Sequence, residues 1–262
     1  MIVKNTVFEN ILDSNGLFQK HFHSTYTIGI THDGFFKSFA SNKSSVSYKY
    51  STRIINPHEI HHGNSKSWKY TNFYPSISLL EDIYEQIFFE RKIPLFAEHI
   101  IEDEILYKLL WNLFNSVYIK SATMNIEINL IETLSYIVKN YTSDRKRNDN
   151  FPVEKKIIVR TLEYIHDCIE FTISLDNLVE NINLSKYHFI RVFKEYVGLT
   201  PHQYIIMSRV NRAKELIIKG ESLSIASLNT GFTDQSHFIK NFRKIYGYSP
   251  KQLQKKENFF LL

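Results

Sequence analysis

The chain repeats itself over His188-Phe-Ile-Arg-Val-Phe-Lys-Glu-Tyr-Val-Gly-Leu-Thr-Pro201 and, 49 residues later, over His237-Phe-Ile-Lys-Asn-Phe-Arg-Lys-Ile-Tyr-Gly-Tyr-Ser-Pro250. Six of the 14 aligned positions are identical, and three more exchange Arg with Lys or Thr with Ser. Similarity at a fixed spacing indicates that one structural unit is present twice.

Each copy has the pattern of an amphipathic helix with a defined end. Phe189 and Phe193 are four residues apart, so both side chains lie on one face, which we expect to be buried. Gly198 suits the left-handed position after the last turn, and Thr200-Pro201 can start the next helix. The second copy repeats these features at Phe238, Phe242, Gly247 and Ser249-Pro250.

A short helix and a tight turn are predicted before each of these amphipathic helices. In the first copy, Ser174 can cap the short helix and Ser185 the helix that follows it. Two helices joined by a tight turn form a helix-turn-helix motif. In the second copy Ser222 or Ser224 can start the short helix, and Gly231-Phe232 turns into Thr233-Asp234. The first motif is thus placed at 174–198 and the second at 222–247.

One long amphipathic helix is predicted between the two motifs, at 201–218. With a rise of 1.5 Å per residue it spans roughly 25 Å. This is the order of separation that places two helices in successive major grooves of DNA, which are about 34 Å apart. Residues 153–262 therefore read as an all-α domain that binds DNA through two motifs.

Particular residues of this domain resemble the AraC/XylS family of bacterial transcription regulators. The match is strongest at Gly231-Phe-Thr-Asp-Gln-Ser-His-Phe238, followed by Phe242 and Gly247-Tyr-Ser-Pro250. Val179 and Ser227 depart from the family, which usually has a small alanine in the first helix of each motif. The resemblance covers residues 155–253. In the first half it rests on Ser185, Arg191, Phe193, Lys194, Gly198, Pro201, Arg209, Ala213 and Leu216.

The resemblance implies roles for the exposed faces of the second helix of each motif. Arg can bind guanine, and Gln adenine, through paired hydrogen bonds, whereas phosphate contacts position a protein without specifying sequence. A solvated helix face would carry the same residue types, and this alternative stays open. The implied base contacts are Tyr187, Arg191, Gln235, Ser236 and Lys240. The implied phosphate contacts are Lys186, Lys194, Arg243 and Lys244.

The charge distribution agrees with a nucleic-acid partner for one half of the chain. Residues 1–150 hold 16 Lys and Arg against 16 Asp and Glu, whereas residues 151–262 hold 16 against 11. The whole net charge of +5 therefore lies in the C-terminal part, which favours a polyanionic partner. The family implies an activator that binds double-stranded operator DNA and also contacts RNA polymerase.

Residues 1–147 are expected to form a separate domain, so the fold class is α+β with two domains. Short aromatic and β-branched runs between turn signals predict β-structure over 1–75, and apolar helical periodicity predicts helices over 76–141. Residues 142–152 are predicted to be a linker, because apolar side chains are absent from Thr142 to Asn150.

The N-terminal part resembles, more loosely, the cupin-like β-barrel sensor domain of the same family. The resemblance rests on His21-Phe-His23 and on Asn56-Pro-His-Glu-Ile-His61. In cupin enzymes such histidines bind a metal together with a glutamate, but Thr27 stands at the glutamate position here. We therefore expect no metal, and the histidines either approach an effector pocket or are structural. The candidate pocket residues are His21, His23, Tyr26, His61, Trp68 and Tyr70.

One helical segment, predicted over 125–141, has the spacing of a coiled-coil seam. Leu130, Leu134, Ile137 and Tyr141 follow one another at alternating four- and three-residue steps. Such a seam could pair with its copy in a homodimer. A seam buried inside its own domain would have the same spacing, so both interpretations stay open.

Several cellular settings and chemistries are disfavoured by the sequence. Cys168 is the single cysteine, which excludes an internal disulfide and a C-x-x-C site and suits a reducing cytosol. The N-terminus has no signal-peptide pattern, and no run of about 18 apolar residues occurs, so we expect a cytoplasmic protein without a membrane segment.

No enzyme motif is evident, since the chain lacks a Ser-His-Asp pattern, a P-loop and a Gly-x-Gly-x-x-Gly segment. We expect no cofactor, although an unidentified small-molecule effector is compatible with the sensor domain. The main alternative is a cupin metalloenzyme domain fused to a DNA-binding module. A DNA-repair methyl acceptor is a further alternative, which would require a reactive Cys168.

Overall fold

The computed structural model describes residues 6–40, 43–143, 153–180, 182, 184–255 and 259–261. The chain divides into two compact units, Met1–Arg145 together with Lys256–Leu262, and Lys146–Lys255. Most of the predicted linker, residues 144–152, lies outside the described residues. The C-terminal segment corrects the predicted domain bounds, because the sequence assigned 256–262 to the second domain.

The first unit is built on one antiparallel sheet. Its strands are β1 (Val7–His21), β2 (Thr27–Ala40), β3 (Lys43–Tyr48), β4 (Thr52–Ile55), β5 (His61–Tyr74), β6 (Ile100–Ile101) and β7 (Phe259–Leu261). The hydrogen-bonded order is β6-β4-β2-β5-β1-β7, and β3 pairs with β2 beside β4. The last strand pairs with β1, which satisfies backbone groups at that edge and explains why the C-terminal segment joins this unit.

The two longest strand pairs are bent by register shifts. β5 shifts register against β1 between Ile11 and Ser14 and again further along, and against β2 between Thr31 and Phe35. Gly34 lies within the second shift with φ +68°, and a Cβ there would come within 2.1 Å of the Ser67 carbonyl oxygen. Such register shifts bend the strands. One face of the sheet packs against the helices, and the opposite face carries an aromatic cluster of Phe36, Trp68 and Tyr70.

Three helices cover one face of the sheet: α1 (Ile77–Phe88), α2 (Glu104–Tyr118) and α3 (Thr123–Tyr141). Ser76 and Asp103 cap the first two through their side-chain oxygens. A single apolar core joins these helices to sheet residues such as Phe8 and Phe73. The predicted β-rich segment followed by helices is therefore confirmed.

The interpretation of the heptad-like seam as a dimer contact is wrong for its apolar members. Leu130, Leu134 and Ile137 are fully buried in the core of their own unit. The half-buried Tyr141 donates a hydrogen bond to the Asp103 carboxylate at the start of α2. Facing helices inside one domain use the same spacing as a coiled coil, which is why the sequence could not separate the two cases.

The described residues of the second unit form helices joined by turns, as predicted for this domain. The helices are α4 (Val153–Asp167), α5 (Leu175–Val179), α6 (Lys186–Val197), α7 (Pro201–Ile218), α8 (Leu223–Leu228), α9 (Gln235–Tyr246) and α10 (Pro250–Gln254). The predicted long connecting helix is α7, with the bounds that the sequence indicated. Among the described residues no helix has the length and apolar character needed to cross a membrane.

Candidate nucleic-acid interface and sensor site

Helix α6 is fixed by the residues that cap its two ends and by its apolar face. The Ser185 hydroxyl accepts a hydrogen bond from the His188 amide, and Gly198 ends the helix at φ 81° with its amide bonded to the Lys194 carbonyl. Phe189 and Phe193 are fully buried against α4, α5 and α7. One face is thereby fixed inside the unit, and the opposite face is left to solvent.

Helix α9 repeats this construction. The Asp234 carboxylate caps it by accepting from the His237 amide at 2.8 Å, and Gly247 ends it at φ 79°. Phe238 and Phe242 are fully buried, as their predicted equivalence to the phenylalanines of α6 requires. The repeat in the sequence is therefore a repeat of helix caps and core contacts.

The residues implied as DNA contacts all lie on the exposed faces of these two helices. Tyr187 is 80% exposed and extends from the first turn of α6. Lys186 forms an ion pair with Asp176 of α5, which holds its ammonium beside the first motif. The exposed set consists of Lys186, Tyr187, Arg191 and Lys194 on α6, and Gln235, Ser236, Lys240, Arg243 and Lys244 on α9.

The exposed faces are basic in both motifs. Each helix exposes three Lys or Arg side chains among these residues, and each helix N-terminus adds the positive end of its dipole. Such surfaces attract the phosphate backbone of a nucleic acid. The arrangement can place polar side chains against base edges while lysines meet phosphates on either side.

A half-buried arginine connects the turn of the second motif to the segment that follows α4, and the sequence did not reveal its role. Arg209 of α7 donates three hydrogen bonds to backbone carbonyls: Nε to Ile169 at 3.1 Å, and its terminal nitrogens to Gly231 and Phe171, both at 2.7 Å. Ile169 and Phe171 follow α4, whereas Gly231 forms the turn of the second motif. The sequence signal that could have indicated this role is an arginine beside the buried positions of an amphipathic helix.

The turn of the second motif leaves no space for a side chain. Gly231 has φ +78°, and a Cβ there would lie 2.9 Å from both the Arg209 guanidinium and the Ile169 carbonyl oxygen. Only glycine combines this backbone conformation with so close an approach. The family resemblance at Gly231 therefore has a structural cause.

The two departures from the family pattern are accommodated locally. Val179 packs as a half-buried residue at the core of the first motif. Ser227 is buried in α8, and its carbonyl oxygen accepts from the Phe232 amide at 3.2 Å. Neither side chain interrupts the helix that carries it.

In the first unit, three of the predicted sensor residues form one buried cluster. His21 and His61 are partners in register across β1 and β5, and their ring centroids are 4.2 Å apart. His23 lies 5.0 Å from His21 and 5.2 Å from His61 by the same measure. Each ring offers one nitrogen, and these nitrogens all lie within 4.8 Å of one another.

Two of the three rings are oriented by backbone carbonyls. Nδ1 of His21 lies 2.7 Å from the Gln19 oxygen, and Nδ1 of His61 lies 2.9 Å from the Glu59 oxygen. Because a carbonyl oxygen only accepts, Nδ1 carries the proton in both rings. Burial, together with the neighbouring His21, holds the pKa of His61 well below its ordinary value.

By distance the cluster can hold a metal ion, whereas its charged surroundings are unfavourable for one. Arg53 and His99 are among the groups that lower the pKa of His61. Thr27 supplies no carboxylate and is fully buried with an unpaired hydroxyl oxygen. The expectation of no metal therefore stays a prediction.

The predicted aromatic pocket residues are used in packing. Tyr26 is fully buried and donates to the Pro94 carbonyl at 2.7 Å. Trp68 is stacked on both Phe36 and Tyr70, with centroids 4.5 Å and 3.8 Å apart. Their assignment to an effector pocket stays a prediction.

Arg53 lies on the same face of the sheet as this aromatic cluster. Its guanidinium is 5.0 Å from the ring centroids of both Phe36 and Trp68. It is 6% exposed, its Nε has no hydrogen-bond partner, and it forms no ion pair with any residue that the structure describes. Burial lowers the pKa of this guanidinium.

Two family models match the sequence. One is described as a helix-turn-helix domain and matches residues 178–256. The other is described as an AraC-like ligand binding domain and matches residues 13–134. The first match spans the segment from the end of α5 through α10, and the second falls on the first unit.

Relatives and solved structures agree with these models. YbfI, an HTH-type transcriptional regulator of Bacillus subtilis, is 26% identical over 225 residues, which cover 84% of this chain and 81% of that protein. LumQ, a probable transcriptional regulator of Photobacterium leiognathi, is 36% identical over 107 residues, 40% of this chain and 43% of that protein.

The crystal structure of ToxT from Vibrio cholerae O395 has a similar fold. It aligns over 97% of both chains with a TM-score of 0.63 and 13% identity. ToxT from strain SCE256 with a bound unsaturated fatty acid aligns over 95% of this chain and 94% of that chain, with a TM-score of 0.61 and 14% identity.

Proposed function

We propose that this chain, a DNA-binding transcription regulator of the AraC/XylS family with a ligand-binding domain, is an effector-responsive activator that reads two adjacent major-groove segments. The observation that carries the proposal is the pair of basic, exposed helix faces on α6 and α9. Both belong to one unit, in which Arg209 of the connecting helix α7 binds the turn of the second motif and the segment between α4 and the first motif through three hydrogen bonds.

In this proposal α6 and α9 are the recognition helices. Arg191 and Gln235 carry most of the base specificity, because each can form two hydrogen bonds with one base edge. Tyr187, Ser236 and Lys240 make the remaining base contacts. The phosphate contacts are Lys186, Lys194, Arg243 and Lys244, which set the register on the DNA.

The test is selection of binding sites by the full-length protein from a random DNA pool at near-physiological salt. We expect enrichment of a site with two blocks about one helical turn apart. One enriched block would limit recognition to a single motif. Salt-sensitive binding with no enriched sequence would contradict specific recognition.

Two neighbouring variants on α6 separate base contacts from phosphate contacts. Arg191→Ala should weaken binding to the selected site by about 1–3 kcal/mol and relax the preference within one block. Lys194→Ala, three residues along the same helix, should weaken binding to every sequence about equally. Unchanged block preference in Arg191→Ala would remove Arg191 from the base contacts.

Activation requires two further interactions that the family resemblance implies, one with RNA polymerase and one with a small-molecule effector in the first unit. The fatty acid bound to ToxT supports a small molecule as effector of such a domain, without naming one for this chain.

A homodimer would use the exposed face of α3, where Ile128 is 51% and Ile131 37% exposed, since the predicted seam is buried. A cytoplasmic location is part of the same proposal.

A cupin metalloenzyme fused to a DNA-binding module is the second candidate. The observation in its favour is the cluster of His21, His23 and His61. The relatives that match are named as transcriptional regulators, which supports a protein without enzyme activity. Stoichiometric metal in the purified protein, lost in His21→Gln, would favour the enzyme, and its absence would leave the regulator as the better proposal.

A further inference from the structure

A cavity of about 360 Å³ lies between the helix-covered face of the sheet and α2. Phe8 of β1 and Phe114 and Val117 of α2 form its apolar walls, and all three are buried. Leu12 and Tyr118 at its edge are 69% and 65% exposed. A concave site of this size with mostly apolar walls is typical of small-molecule binding sites.

One wall of the cavity carries a short chain of polar groups. Nε2 of His32 lies 2.7 Å from the Thr71 hydroxyl, which donates to the Asn10 side-chain oxygen at 3.2 Å. These groups sit on three adjacent strands, β2, β5 and β1. Their positions are fixed by the sheet register, so they can orient a ligand with little loss of entropy on binding.

An aromatic side chain at the mouth is available for stacking. Trp111 lines the cavity, is 49% exposed, and meets His32 edge to face with ring centroids 5.8 Å apart. Trp68, by contrast, is 2% exposed and already stacked between other rings. Of the two tryptophans in the chain, Trp111 is therefore the one that can gain contact area from a ligand.

The charges around the cavity indicate the ligand class. None of the described residues that line it is Lys or Arg, and its one carboxylate, Glu9, is bonded to the Tyr74 hydroxyl. Burial lowers the pKa of His32, which keeps the ring neutral near pH 7. An anionic group would lose its hydration here without gaining a counter-charge, so the site favours uncharged molecules.

We propose that this cavity binds a small, neutral, aromatic molecule, which stacks on Trp111 and forms a hydrogen bond with the polar chain of His32, Thr71 and Asn10. The role of this cavity as an effector site rests on the proposed regulatory function, whereas the binding of a ligand to it does not. It lies on the opposite face of the sheet from Arg53 and from Trp68 and Tyr70, two residues of the predicted effector pocket.

A second groove shares Trp111 but differs in character. Beside the aromatic side chains of Tyr48, Tyr50 and Tyr107 it is lined by five charged residues, so it can pair with ionic groups of a ligand, which the first cavity cannot: Lys49, Glu102, Asp103, Glu104 and Lys108. Asn115 lines the first cavity and is absent from the described lining of the second groove. A substitution at Asn115 therefore distinguishes the two.

The experiment titrates the full-length protein with N-phenyl-1-naphthylamine, a neutral aromatic probe whose own emission rises in apolar sites. Saturable binding at one site per chain is expected. Asn115→Phe, which fills the cavity from an exposed position on α2, should weaken binding at least tenfold. Asn112→Phe, also exposed on α2 and outside the cavity, is the matched control and should bind as the unchanged protein does. Trp111→Ala should weaken binding at least fivefold.

The anionic analogue 1-anilinonaphthalene-8-sulfonate tests the assignment of charge and should bind at least tenfold more weakly. Equal binding of both probes would overturn the ligand class. Undiminished binding by Asn115→Phe would overturn the site, as would loss of binding in Trp68→Phe with Trp111→Ala unaffected. Site selection from the DNA pool is independent of these titrations, so failure of the cavity and failure of the proposed function are separate results.

Discussion

Two arginines of this chain differ in how their guanidinium groups are partnered. The half-buried Arg209 donates to three carbonyl oxygens and so joins the segment after α4 to the turn of the second motif. Arg53 has ring faces beside it and an unpaired Nε instead. A buried polar group without a partner costs free energy, whereas a fully bonded one stabilises the elements that it connects.

This contrast predicts unequal effects for the same substitution. Arg209→Met should lower the free energy of unfolding by about 2–4 kcal/mol, because three carbonyls lose their donor. It should also weaken binding to the selected DNA site. Arg53→Met should lower the free energy of unfolding by less, since the Arg53 Nε has no hydrogen-bond partner to lose. Urea unfolding of both variants measures this, and an equal loss of stability in the two variants would contradict the contrast.

The buried His61 predicts a dependence of stability on pH. Its folded pKa is held below the ordinary value of 6.5 by burial and by His21, Arg53 and His99. As the pH falls below 6.5, the unfolded chain takes up a proton that the folded chain does not, so the free energy of unfolding decreases. In unfolding experiments from pH 7.5 to 5, His61→Gln should flatten this decrease. An equal decrease in His61→Gln and in the unchanged protein would contradict the assignment to His61.

At the scale of elements, α3 shows how a single helix divides its two faces. Leu134 is 0% exposed in the core and Ile128 is 51% exposed on the other side. Leu134→Lys buries a charge without a partner and should unfold the first unit or destabilise it by at least about 4 kcal/mol. Ile128→Lys should keep the fold and, if α3 mediates a homodimer, yield monomers in light scattering. A folded Leu134→Lys variant would contradict the packing described.

At the scale of the whole molecule, the distribution of charge predicts the response to salt. Four proposed phosphate contacts should give a slope of about −4 in a plot of log affinity against log salt concentration. Lys194→Ala should reduce the magnitude of the slope by about 0.9. The measurement is the affinity for the selected DNA site at salt concentrations from about 50 mM to about 200 mM. A slope unaltered by Lys194→Ala would remove Lys194 from the phosphate contacts.

Local sequence by itself determined the helix-turn-helix unit. The capping residues Ser185 and Asp234, the phenylalanines four residues apart and the glycines at helix ends all act within one or two turns of chain. Such short-range interactions leave a direct pattern in the sequence, and the repeat displayed it twice. Fold class, family and the faces that carry the proposed DNA contacts followed from these patterns.

Only the tertiary structure decided what depends on contacts between distant residues. The apolar spacing of α3 is the same for a core and for a dimer seam, and packing against α1 and α2 decided for the core. The carbonyl partners of Arg209 come from segments 40 residues before and 22 residues after it. The cavity beside Trp111 likewise arises from three strands and a helix. No local periodicity encodes these arrangements, because the energy that selects them comes from burying surfaces that meet only in the folded chain.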